Sequence, residues 1–182
     1  MTKVWCLDLR EKYYTDATFT NLNELRGLRF RSGQSLLGKL PARPSVRLLH
    51  GSGYSDYVEI GSMDVVSVKL KEVLEEHEAS VEFFEISTDI RDDMYMINVT
   101  ETVDCLDREL SAYKILYSEL SVRTLVIRTP EAEPPIYLIR DTILPIVAVR
   151  DDLADAIETS GATGVLLKTP EEWTNQAYPS RQ

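Results

Sequence analysis

Two stretches of the chain, 83 residues apart, are written in one grammar of strand, helix and strand. Leu70, Val73, Leu74, Glu75, Ala79, Ser80, Phe83 and Phe84 fall in order on Leu153, Ala156, Ile157, Glu158, Ala162, Thr163, Leu166 and Leu167. Apolar residues at i, i+3 and i+4 mark one face of a helix, and the short apolar runs on either side have the character of strands. In the first stretch a strand over 65–68 leads into a helix over about 69–78 and out into a strand over 81–86. In the second, a strand over 146–149 leads into a helix over 151–160 and out into 165–168. Asp151 and Asp152 suit a helix N-terminus, and Gly161 suits the left-handed residue that closes a helix. Duplication and convergent helix grammar both account for the period, because two copies do not make a repeat array. In either case two amphipathic helices must lie on a sheet. The fold class this implies is α+β, a single domain with a mixed, mostly antiparallel sheet.

Other elements follow from local signals. Residues 4–9 read as a first strand, with Val4, Cys6 and Asp8 on one face and Trp5, Leu7 and Leu9 on the other. Residues 21–28 predict a short helix, capped by Thr20 or Asn21 and stopped near Gly27. Residues 31–44, with two glycines, two prolines and the basic Arg31, Lys39 and Arg43, read as a loop. Strands are expected over 122–128 and 136–140, separated by a stiff acidic loop with Pro134 and Pro135. The tail from Pro170 reads as a loosely packed terminus that Trp173 could anchor, with Tyr178 beyond it.

Length and composition bound the function. The 182 residues, 43% hydrophobic and 27% charged, can bury a core without disulfides or metal. No apolar run has signal-peptide length, and the longest, 143–149, is broken by Pro145 and too short for a bilayer, so the expected location is cytoplasmic. Cys6 and Cys105 stand too far apart for a zinc motif and are expected to be buried, reduced and structural. Net charge of −10 argues against nucleic acid as a ligand, since phosphate binding needs Lys and Arg. The charge is uneven: residues 1–60 hold nine Lys+Arg against six Asp+Glu, and residues 61–182 hold eleven against twenty-four. Such a field serves solubility, and it also hastens encounter with a basic protein.

Catalytic chemistry finds little support. His50 and His77 are the only histidines; His77 sits in an acidic, solvated helix end, and His50 precedes Gly51-Ser52-Gly53 without an evident Asp or oxyanion hole. The same run lacks the glycines of a dinucleotide loop and the Gly-Lys-Ser/Thr of a phosphate loop. Residues 89–94 lack the spacing of a calcium loop. No catalytic residue, metal site or cofactor is assigned. The acidic set Glu75, Glu76, Glu78, Asp89, Asp92 and Asp93 is the expected partner-binding surface, against a plain reading as a solvated face.

The most particular passage is 94–113, MYMINVTETVDCLDRELSAY. Residues 95–99 read as a half-buried strand, and three carboxylates, Asp104, Asp107 and Glu109, then surround Arg108. Structurally, Asp104 can cap a helical turn begun at Cys105 while Arg108 pairs with it at i−4; functionally, the same residues could face a partner. This passage, with the strand over 146–149 and the Ala162-Thr163-Gly164-Val165 turn, resembles the immunity-protein-eleven family of bacterial polymorphic toxin systems. The resemblance spans about 65–168, with Asp104, Asp107 and Arg108 as its signature and Ala162-Thr163-Gly164 standing where the family has Leu-Thr-Gly. The first sixty residues carry none of it. It implies a protein that protects the producing cell during competition between bacteria by occluding a cognate toxin domain stoichiometrically, without catalysis, cofactor, membrane or nucleic acid. Two rival classes remain. A regulatory or ligand-binding domain would hold a cavity lined by residues such as Trp5, Tyr13 and Tyr14. An enzyme would place a perturbed His50 or carboxylate in a cleft.

Overall fold

The computed structural model describes residues 1–10, 15–51, 53 and 55–173; Tyr13, Tyr14, Ser52 and Tyr178 lie outside them. In chain order the first elements are β1 (Lys3–Leu7), β2 (Thr15–Phe19), β3 (Ser45–Gly51), β4 (Tyr57–Ile60) and β5 (Met63–Ser67). Then come α1 (Val68–Glu76), β6 (Val81–Glu85), β7 (Ser87–Thr88), β8 (Met94–Val99) and β9 (Thr102–Val103). The last are β10 (Ala112–Leu116), β11 (Glu119–Thr124), β12 (Ile136–Ile139), β13 (Val147–Val149), α2 (Asp151–Thr159) and β14 (Val165–Lys168). The strands divide among four sheets, ordered β4-β5-β8-β6, β14-β1-β13-β12-β9, β2-β3-β7 and β10-β11.

The two repeated stretches adopt the same topology. In each, the strands flanking the helix are parallel to one another with a third strand inserted antiparallel between them: β8 between β5 and β6, and β1 between β13 and β14. Each also carries an antiparallel neighbour outside its first strand, β4 on β5 and β12 on β13. The inserted strand of the second unit comes from the start of the chain, 140 or more residues from its partners.

Alternation along the strands builds three cores. Trp5, Tyr57, Val66, Ile97, Ile136, Leu138, Val147 and Val149 face inward and meet Leu70 and Leu74 of α1 and Leu153 and Ile157 of α2. The four helix residues are positions matched by the 83-residue period, and all are at most 1% exposed. Val58, Val65 and Met96 point the other way, onto Ala17, Phe19 and Val46 of the β2-β3-β7 sheet. Val4, Tyr137, Ile139 and Ala148 face Leu120 and Val122 of the β10-β11 hairpin. Strands buried on both faces read as continuous apolar runs, as 146–149 does.

One local expectation is corrected, and a second, the loop over 31–44, is found as a loop held in place. Residues 21–28 form successive i→i+3 turns and no helix, since Asn21 spends its side chain on the Arg43 carbonyl, Ser45 amide and Glu24 carboxylate. The loop over 31–44 is stitched down: Glu82 accepts from the Ser35 hydroxyl and the Leu36 amide, and Asn98 donates to the Gln34 carbonyl. Among the described residues, no helix is long and apolar enough to cross a membrane.

Candidate functional site

Asp56, 2% exposed, joins the two repeated units. Its carboxylate accepts from the Ser67 hydroxyl at 2.8 Å, the Thr163 amide at 2.9 Å and the Thr163 hydroxyl at 3.1 Å, and it ion-pairs with Lys69 at 3.2 Å and Arg91 at 3.3 Å. Burial alone would raise this carboxyl, but the Thr163 amide, Ser67 and Lys69 outweigh it and hold Asp56 below the ordinary carboxylate range. Ser67 also caps α1, accepting from the Leu70 amide. The Asp56 and Tyr57 amides donate in turn to the Thr163 carbonyl, both at 3.0 Å.

The N-terminus of α1 therefore sits beside the residues that follow α2. At its other end His77 lies close enough to be felt by Asp152, which Arg150 holds down to about 2. The helices run antiparallel with their buried stripes in one core, so their outer faces form one surface. Glu72, Glu75, Glu76 and Glu78 of the first unit and Asp151, Asp152, Asp155 and Glu158 of the second are exposed on it.

The six expected partner-binding residues divide between the two ends of α1. Glu75, Glu76 and Glu78 are exposed at its C-terminal end, with Glu75 paired to Lys71 at 2.6 Å. Asp93 lies near its N-terminal end, its carbonyl accepting from Val68 and its carboxylate gripped by Arg91 at 2.7 Å through each oxygen. Asp89 accepts from the Leu48 amide at 2.7 Å, and Asp92 is exposed. A nine-residue helix separates the two groups by about 13 Å.

In the signature passage Arg108 pairs with Asp104 at 3.4 Å, as its spacing predicts. The cap differs from expectation. No helical turn starts at Cys105; Leu106 bridges to Ile127, and Asp107 closes the following turn by accepting from the Glu109 and Leu110 amides at 3.0 Å. Ser111 both donates to the Val126 carbonyl and accepts from its amide, so the passage clamps the hairpin base.

Sequence reasoning missed Asp56 and a second buried cluster. The Arg31 guanidinium, in the loop over 31–44, grips both oxygens of Asp64 and reaches Glu59 at 3.1 Å, while the Tyr57 hydroxyl donates to Asp64 at 2.5 Å. Burial opposes its charge, yet Asp64 raises its pKa. Arg31 separates two open clefts. One, of ≈ 590 Å³, includes Arg29, Arg140, Glu119 and Asp141; the other, of ≈ 320 Å³, includes Trp5, Leu7, Tyr57, Val147, Lys168 and Trp173. Trp173 thus anchors the chain as expected, packed against the hairpin core. His50 is exposed on β3 opposite Asp16, and His77 is half-buried with Nδ1 2.9 Å from the Val73 carbonyl, more enclosed than its acidic neighbours suggested. Cys105 is buried and Cys6 half-buried, both free, and burial pushes each thiol up to about 11. Among the described residues no group of three or more His, Cys, Asp or Glu side chains could hold a metal ion.

These features describe an α+β protein whose charged chemistry lies on exposed helix faces and in structural buried pairs. The model of the Immunity protein family (Imm11) matches residues 11–169, and the chain belongs to that family. The match takes in most of the first sixty residues, which carry none of the motifs. A search of curated proteins gave no match.

Proposed function

We propose that this immunity-family protein binds a cognate toxin domain and occludes it stoichiometrically, with the acidic outer face of α1 and α2 as docking surface. The observation that carries the reading is Glu78. It closes α1 with φ +50, its amide bonded to the Glu75 carbonyl and the next amide to Leu74, a helix ending that favours glycine at this position. The residue 83 positions later, closing α2, is Gly161 at φ +65. A carboxylate kept in the strained conformation, exposed and without an ion-pair partner among the described residues, is of use to something outside the chain. Glu72, Glu76 and Asp92 extend the set, while Asp89 and Asp93, held by their own chain, add to its field.

Glu78→Gly is expected to raise stability by roughly 0.5–1 kcal/mol in denaturant unfolding. Reversing Glu75, Glu76 and Glu78 to Lys is expected to slow association with a basic toxin about tenfold at low salt and much less at high salt. Unchanged association rates at low salt would sink this face. The decisive experiment is co-expression with the product of the neighbouring gene, scored for survival and for co-purification at fixed stoichiometry. Survival with a stable complex supports occlusion; survival without one points to an enzyme that undoes the damage. The cleft at Trp5 is open, and its Arg31 wall is committed to the chain's own carboxylates, so small-ligand binding gains no comparable support.

A further inference from the structure

The β10-β11 hairpin stands apart from the other sheets and exposes more apolar surface than its packing needs. Ile115, Leu116 and Tyr117 are 68%, 38% and 99% exposed, and Leu110, in the turn before the hairpin, is 70% exposed. Its turn is Tyr117-Ser118, both left-handed at φ +52 and +75, where Asn-Gly is the favoured pair. A bulky residue at positive φ is a backbone outlier, and here it projects an aromatic ring into water with no contact in return. The register sets Leu116 opposite Glu119 and Lys114 opposite Ser121, so one outward face carries Leu116 flanked by Lys114 and Glu119. Neither charge has an ion-pair partner among the described residues.

We propose that this face is an isologous interface with a second copy of the chain. A two-fold axis through the face sets Leu116 against Leu116 of the second copy, lays each Lys114 on the other's Glu119 and covers the exposed Tyr117 ring of each turn with the other copy. A patch bearing both signs about an apolar centre complements itself, as a two-fold contact requires. Lys114 in the middle of β10, whose outer edge is unpaired, opposes simple strand addition, which favours face-to-face packing. The hairpin packs on the side of the β14-β1-β13-β12-β9 sheet opposite the helices, so this association leaves the acidic face open.

Sedimentation velocity of the full chain between about 1 and 100 µM tests the proposal, a range suited to a small interface. The wild type is expected to shift from monomer to dimer across it. Lys114→Glu is expected to stay monomeric, and Lys114→Glu combined with Glu119→Lys to dimerise again. Tyr117→Asn with Ser118→Gly is expected to weaken the dimer while raising the melting temperature by several degrees, because the turn is relieved. That opposed pair of changes excludes a merely structural role. A wild type monomeric throughout, or a turn variant that dimerises like the wild type, overturns the proposal. Monomeric wild type whose turn variant loses the toxin overturns it too, assigning the hairpin to that partner.

Discussion

Replacing Gly164 by Ala is expected to lower stability by about 3–5 kcal/mol and the melting temperature by about 10 °C or more. Gly164 has φ +85, and a Cβ there would lie 2.4 Å from the Tyr57 carbonyl oxygen and 3.0 Å from the Ser55 Cβ. The left-handed backbone accounts for only about 1–2 kcal/mol of the loss. The remainder comes from the overlap, because the obstructing atom is backbone and β14 must move off β4. That shift breaks the paired amide bonds from Asp56 and Tyr57 to Thr163. Gly161 supplies the control. It has φ +65, but a Cβ there would meet nothing within 4 Å, so Gly161→Ala should lose about 1 kcal/mol only. Equal losses at the two glycines, measured by denaturant unfolding, would show that the docking of this turn contributes little.

Asp56→Asn is expected to destabilise by about 2–4 kcal/mol, read as a fall of about 5–15 °C in melting temperature. The amide cannot match charge with Lys69 and Arg91, and its NH₂ group opposes the donors from Thr163, Ser67 and Lys69. The loss stays below that of a fully buried pair because the Lys69 side chain is 45% exposed and that of Arg91 28%. The pH dependence has a definite sign. Folding lowers the Asp56 pKa, so its stabilisation is complete above the unfolded carboxyl value and lost as pH falls through the folded one. The gap between wild type and variant should hold at neutral pH and close below about pH 4. A gap that stays constant to strongly acid pH would show that the ionised form of Asp56 contributes no stability.

How much of this was legible in the sequence depends on how local the signal is. The 83-residue period located both helices, the flanking strands and the four residues, Leu70, Leu74, Leu153 and Ile157, that meet in the first core. The Arg108 and Asp104 pair was legible because its partners are one turn apart. Asp56 was not, since its partners stand 11, 13, 35 and 107 residues away and no local pattern marks a buried carboxylate. The hairpin escaped because Tyr117-Ser118 is not turn chemistry and the exposed face of β10 reads as irregular. The expected helix over 21–28 failed where side-chain bonds from Asn21 overrode propensity. Of the acidic set, exposure was foreseen for Glu75, Glu76, Glu78 and Asp92, while Asp89 is taken up by the distant Leu48 amide and Asp93 by Arg91, two residues before it.

The insertion of β1 between β13 and β14 bears on how the chain emerges from the ribosome. The sheet of β4, β5, β6 and β8 has all its strands once Val99 is out, whereas β1 has no partner until Val149 has been made and lacks its second until Lys168. At ordinary rates of synthesis the interval is roughly 4–14 s. Through it β1, with Trp5 and Leu7, is at first unpaired and then paired on one edge only, open to aggregation or to holding by a chaperone. Newly made chains thus gain their last sheet after release of its final strand, and a burst of translation yields finished protein with a delay that a locally folded bundle would not have.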